Sequence, residues 1–175
     1  MIRPEIALRQ WRDGDLPRFQ EMNADPEVMR FFPKLLSPDE SAGMLDRLRG
    51  QIEARGWGLW AVEVDGLLAG FTGLSQPTFA AHFTPCVEIG WRFRKEYWGR
   101  GIAYGAALQA ESFGYQTLGL AELVSFTAAI NLRSRRLMER LGFTRDPRDD
   151  FEHPSLEAGH RLRGHVLYRK CRGGG

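Results

Sequence analysis

The stretch Glu88-Ile-Gly-Trp-Arg-Phe-Arg-Lys-Glu-Tyr-Trp-Gly-Arg-Gly-Ile-Ala103 constrains this chain more than any other segment. It reads as a strand that runs into a glycine-rich turn and opens directly onto a helix. Gly99 and Gly101 allow positive φ and a close approach of another molecule to the backbone. Ile102, Ala103, Gly105, Ala106, Ala107 and Leu108 then begin a helix of small residues. A helix N-terminus behind such a turn presents free N–H groups, a cradle suited above all to phosphates. A phosphorylated cofactor is the leading expectation.

The turn alone does not say which cofactor. A dinucleotide fingerprint needs Gly-x-Gly-x-x-Gly, whereas this turn gives Gly99-x-Gly101-x-Ala103, and Phe126-Thr127-Ala128 stands where an acidic residue would end the next strand. The Gly-Lys-Ser/Thr close of an NTP-binding loop is also missing. Both readings fall.

At 175 residues the chain is read as one domain over residues 1–172, with 173–175 a frayed glycine tail. Residues Glu5 to Trp11 alternate as a first strand. Asp13-Gly-Asp15 starts a helix through Met22, and Asp25-Pro-Glu27 caps a short helix ending near Phe32. Ser37-Pro-Asp-Glu40 is a capping box that opens a longer helix through Ile52. Trp57–Val64 and Leu67–Leu74 form a hairpin around Asp65-Gly66. Gln76 to Pro85 is a loop, Cys86 to Phe93 a strand, Ile102 to about Leu118 a helix and Ala121 to Ala128 a strand. Asn131 begins a helix that Gly142 closes, and His165 to Arg169 is the last strand. The strand–helix–strand unit over 86–128 implies a parallel pair with a right-handed crossover. The fold class is therefore a mixed α/β (α+β) sheet, mostly antiparallel, with helices on both faces.

A formal charge of +2 does not argue for nucleic acid. The arginines cluster, however: Arg92, Arg94, Lys95 and Arg100 around the turn, then Arg133, Arg135, Arg136 and Arg140. Cys86 and Cys171 have no metal or redox spacing, no signal-peptide pattern begins the chain, and no apolar run is long enough for a bilayer. A cytoplasmic protein with reduced thiols and no membrane contact is the expectation.

Trp98-Gly-Arg-Gly-Ile-Ala103 resembles the acyl-CoA pyrophosphate signature of the GNAT N-acetyltransferase superfamily, Gln/Arg-x-x-Gly-x-Gly/Ala, with Trp98 where Gln or Arg is usual. Trp57-Gly-Leu-Trp60, Gly70-Phe-Thr-Gly-Leu74, Glu88-Ile-Gly-Trp91, Asn131-Leu-Arg-Ser134 and Met138-Glu-Arg-Leu-Gly-Phe143 resemble, in order, the branch with the ribosomal-protein N-terminal (alanine) acetyltransferases. The resemblance spans about Ile6 to Arg169. It implies acetyl-CoA as donor and no metal. Backbone amides of Gly99, Arg100, Gly101, Ile102 and Ala103 would hold the pyrophosphate. The strand ending at Trp91, Arg92 and Phe93 would pair with the pantetheine arm, as would Asn131, which also reads as a plain helix cap. Arg94, Arg100 and Arg135 are candidate phosphate contacts.

The chemistry so implied is attack of an amine on an acetyl thioester, which needs an ammonium deprotonated, an oxyanion stabilised and a thiolate protonated. Many members supply the acid from a Tyr on the helix after the Asn; here Met138 holds that approximate place, leaving Ser134 as the best substitute, also a candidate cofactor contact. Glu88 on the central strand is the candidate general base, with an ion pair to a nearby Arg as its alternative reading. His153, His160 and His165, in a polar insertion before the last strand, are candidates for binding the acceptor or supplying a base, or are structural; their spacing fits no zinc site. Phe32 and Trp60 are candidates for the acceptor wall. The acceptor is a primary amine, a protein N-terminus or a small molecule, with no nucleic acid as partner. The Phe79–Phe83 loop is a candidate dimer contact, so monomer and homodimer both stay open. A non-catalytic acyl-CoA-binding module is the rival class.

Overall fold

The structure is a computed structural model that describes residues 5–173, so Gly174 and Gly175 of the expected tail lie outside the described residues. Eight strands form one sheet: β1 (Ile6–Arg9), β2 (Leu59–Val64), β3 (Leu67–Ser75), β4 (Glu88–Phe93), β5 (Glu122–Ala128), β6 (Thr144–Arg145), β7 (Phe151–Glu152) and β8 (Gly164–Cys171). Their order is β1-β2-β3-β4-β5-β8-β6, with β7 also on β8. Asp65 and Gly66 both have positive φ (51° and 80°), the geometry whose twist suits a two-residue hairpin between β2 and β3.

Four α-helices cover the sheet: α1 (Leu16–Ala24), α2 (Pro38–Arg55), α3 (Ile102–Gln116) and α4 (Leu132–Arg140). Ser37 and Glu40 form the expected capping box on α2, each side chain bonding the other's backbone N–H. Phe19, Met22, Leu45 and Leu48 from α1 and α2 pack with Ala61 and Phe71 on one face of the sheet. Ile102 and Ala106 of α3 pack on the opposite face with Val62, Val64 and Phe93. Ala107 and Ala110 join Met138, Leu141 and Phe143 from the α4 region over Leu74, Ile89 and Leu123. Gly142, at φ 86°, closes α4: its N–H donates to Glu139 O and that of Phe143 to Met138 O, while Phe143 and Met138 share the core beneath.

The short helix expected over Asp25–Phe32 is instead a run of turns. Asp25 does cap it, its side chain accepting from Glu27 and Val28 N–H, and Met29 N–H donates to Asp25 O. The turn tightens at once, with Phe32 N–H reaching only Met29 O, and Pro33 supplies no further donor. Val28 and Met29 are drawn into the core, and this packing overrides the local helix signal.

The parallel pair is where the sheet departs from regularity. β4 and β5 are in register only at Glu88↔Val124. Val124 N–H donates to Val87 O at 3.0 Å, and one residue on it is the Ser125 hydroxyl that bonds Ile89 O, at 2.9 Å. Beyond that the strands part, each staying paired on its far side, β4 to β3 through Gly70↔Phe93 and β5 to β8 through Ala128↔His165. The facing edges of Gly90–Phe93 and Phe126–Ala128 thus open on a wedge-shaped groove.

Gly70 holds β4 in place. A Cβ there would meet Arg92 O at 2.3 Å and Phe93 Cα at 2.7 Å, both backbone atoms that cannot rotate away. Gly70→Ala is expected to cost about 1–3 kcal/mol, as overpacking does, read as a lower urea midpoint at unchanged slope.

Candidate active site

The glycine turn lies at the mouth of the groove. Trp98 N–H closes the preceding turn by donating to Lys95 O, and Gly105 N–H bonds back to Gly101 O at 2.9 Å. Between them, the backbone N–H groups from Gly99 through Tyr104 find no backbone acceptor among the described residues. Gly99 and Gly101 have φ of 71° and 76°, and a Cβ on either would meet nothing within 4 Å. The glycines are therefore required by conformation, and the space above them is open to a ligand. Unbonded amides, the helix dipole and an open approach together make an anion site.

Its opposite wall is α4. Arg133, Arg136 and Arg140 lie at i, i+3 and i+7, one face of the helix, and all line the groove. Arg133 stacks on Trp98 at 3.7 Å from the ring centroid and Arg140 on Tyr104 at 4.7 Å. Trp98 also donates from Nε1 to Phe93 O at 2.9 Å, so it fixes the end of β4 and carries a cation from α4 on its face. The other arginines are occupied elsewhere. Arg94 is held by Glu21, Glu96 and the Arg18 carbonyl. Arg135 donates to Ala129 O and Tyr168 Oη inside the protein. Arg100 is exposed, with Nη1 on Glu96 O at 3.4 Å and its plane over Tyr97. Of the arginine cluster noted in the sequence over 133–140, Arg133, Arg136 and Arg140 line the groove and Arg135 does not.

At the floor of the groove are Glu88, the first residue of β4 and its one position in register with β5, and Asn131 and Ser134 from the start of α4. Asn131 is a cap: its Oδ1 accepts from Ser134 N–H at 3.3 Å and its Nδ2 donates to Thr127 Oγ1 at 3.0 Å. Met138 lies fully buried behind Ser134. Glu88 has Ser75 Oγ as hydrogen-bond partner at 3.4 Å and forms no ion pair among the described residues. Burial pushes its carboxyl up to about 8, with Ser75 opposing weakly. A carboxyl so placed titrates near neutrality, where a base that must take a proton from an ammonium is useful.

Phe32, Arg92, His153 and His165 also line the groove. His153 and His165 stack at 4.9 Å between centroids, beside Phe126 and Phe151. His153 Nδ1 accepts from Ser155 N–H and His165 Nδ1 faces Arg163 O. Burial holds both below the ordinary histidine range, His165 down to about 4. Both are neutral near pH 7 and offer polar ring edges rather than charge. His160 does not line the groove; its Nδ1 accepts from Leu162 N–H in a loop. Trp60 does not line it either, packing edge-on against Phe113 at 5.0 Å. Among the described residues no cluster of His, Cys, Asp and Glu could hold a metal, and no helix is long and apolar enough to cross a membrane.

Residues 5–144 match the family model of the acetyltransferase (GNAT) domain. The chain is 30% identical over 131 residues to FsC-acetyl coenzyme A-N(2)-transacetylase from Aspergillus fumigatus, a match covering 71% of this chain and 56% of that protein. Its fold is similar to that of an acetyltransferase from Agrobacterium tumefaciens, with a TM-score of 0.75, 24% identity and coverage of 98% and 94% of the two chains. It is also similar to spermidine N-acetyltransferase from Vibrio cholerae, solved with CoA and spermine, with a TM-score of 0.74, 19% identity and coverage of 97% and 96%.

The raised carboxyl of Glu88 has a consequence for stability. From about 4.5 to about 8 the folded chain retains a proton that the unfolded chain has lost, so Glu88 takes stability away as pH rises through that window. Glu88→Gln stays neutral throughout and is expected to melt above the wild type at about pH 8.5, with a smaller difference near pH 5. Scanning calorimetry of both proteins at the two pH values checks this.

Proposed function

The chain belongs to the GNAT acetyltransferase family, and from that premise we propose that it moves an acetyl group from acetyl-CoA to a primary amine, either a small molecule or a protein N-terminus, by direct attack in a ternary complex. The observation that carries this is the row of unbonded amides from Gly99 through Tyr104, faced by three groove-lining arginines where two strands part. A diphosphate with a polar, amide-bearing tail fits these parts. The amides and Arg133, Arg136 and Arg140 take the phosphates, and the unpaired edges of Trp91–Phe93 and Phe126–Ala128 offer hydrogen bonds to the amides of the tail. In this reading Arg133, Arg136 and Arg140 take the place expected of Arg94 and Arg135.

When bound, acetyl-CoA supplies an activated acyl carbon and a thiolate leaving group. Glu88, at the floor beside the parting strands, removes a proton from the acceptor ammonium, directly or through water. A carboxyl held up near 8 is deprotonated in part at neutral pH, and in that form takes a proton more readily than an ordinary glutamate. The Ser134 hydroxyl, one turn into α4, is the proton donor at the far end of the reaction. Met138 has no proton to give, and this is the feature that favours the second reading, a non-catalytic acyl-CoA-binding module.

Calorimetric titration with acetyl-CoA, with dephospho-CoA and NAD as controls, tests the cofactor. Saturable binding of about micromolar strength, roughly −8 kcal/mol, is expected, with no response to NAD. Gly101→Val should lose that binding, since a branched side chain in the left-handed region strains the turn and fills the approach. In an amine screen, kcat/KM should rise with pH through about 8 as Glu88 ionises. Glu88→Gln should lower kcat by about 10²-fold or more and remove that inflection. Tight binding without turnover of any amine would favour the binding module.

A further inference from the structure

Arg92 is 9% exposed and lines the groove. Of its guanidinium nitrogens, Nη1 alone has a partner among the described residues, the neutral amide oxygen of Asn23 at 2.7 Å. Asn23 is in turn fixed by Ser41 Oγ at 3.2 Å. Nε is buried with no partner among the described residues. Burial lowers this guanidinium to about 10, which still leaves it charged at neutral pH. Two other shielded arginines are compensated by carboxylates, Arg9 by Asp15 and Glu63, and Arg94 by Glu21 and Glu96. A buried cation without a counter-ion is costly, and a cost of this kind is offset when a ligand brings the missing charge.

Glu88 does not supply that charge. It shares a face of β4 with Arg92 but stands four residues back, roughly 13 Å away at Cα, and its carboxyl is pushed up rather than down. Glu27, also in the groove wall, is exposed and lies beside Lys95. The guanidinium of Arg92 is packed over the Phe32 ring, at 4.0 Å from its centroid, with Phe71 at 5.3 Å. Aromatic faces that hold the plane of an arginine fix the direction of its donors, a preorganised arrangement for a planar carboxylate.

We propose that Arg92 binds an anionic group of the acceptor, so that the substrate is a small amine carrying a carboxylate, an amino acid or a close relative, and not a polyamine. This rests on the acetyl-transfer reading and adds the substrate class to it. The amine sits toward Glu88 and the carboxylate toward Arg92, so the two groups lie at opposite ends of the acceptor. Phe32 then serves the acceptor site by orienting Arg92.

The test compares amino acids with their own carboxamides, and with spermidine, by release of CoA thiol. The wild type is expected to favour the acid over the amide in kcat/KM by more than about a hundredfold, as sites built around a substrate's charged group do. In Arg92→Met that ratio should fall toward one through a raised KM for the acid, and Arg92→Lys should keep part of it. An Arg92 that is only structural would lower both members of each pair alike, and that result overturns the proposal. If Arg92→Met does not fold, the wild-type ratio and Arg92→Lys decide. Wild-type preference for amides or spermidine overturns the substrate class while leaving acetyl transfer intact. Failure of every amine to release CoA overturns acetyl transfer and this inference with it.

Discussion

The rest of the site depends on the failure of two parallel strands to stay together. β4 and β5 are joined at Glu88↔Val124 and then part, with the Ser125 hydroxyl at the crotch taking Ile89 O in place of a backbone donor. Their far edges stay anchored to β3 and β8, so the sheet does not unravel. In most sheets an unpaired buried edge is a liability, since each exposed N–H and C=O left without a partner costs free energy. Here two such edges face each other across a groove, and the natural way to satisfy both is an elongated ligand laid between them.

Charge is distributed along that groove in a graded way. At the mouth are amides at the positive end of α3 and three arginines of α4, suited to a polyanion. At the floor, Glu88 is a carboxyl pushed up by burial. Farther along the same strand, Arg92 is a buried cation with a neutral partner, and two neutral histidines also line the groove. The mouth tolerates exposed charges because solvent screens them. Buried groups such as Arg92 are strongly desolvated, and there a single charge discriminates more sharply.

Much of the frame was legible in the chain because local rules and tertiary packing agreed. The capping box at Ser37, the Asp65-Gly66 hairpin, the Gly142 helix stop and the strand–turn–helix at Gly99–Ala103 each depend on neighbours within a few residues, and each stands as read. The turn over Asp25–Phe32 shows the opposite case. Its cap was read correctly, but burial of Val28 and Met29 and the lost donor of Pro33 ended the helix after one turn.

The sequence by itself determined that a helix N-terminus with free amides exists at Gly101, because positive φ and missing side chains are properties of the glycines themselves. It also determined the face shared by Arg133, Arg136 and Arg140, through helical spacing. Only the tertiary structure decided which charges serve the groove. Arg94 and Arg135 are consumed by carboxylates, carbonyls and a tyrosine brought from distant segments, Trp60 and His160 turn to other neighbours, and Arg92 is left without a counter-ion. The reason is physical: backbone conformation is set by nearby residues, whereas the partner and the dielectric around a charge are set by whatever the fold packs against it.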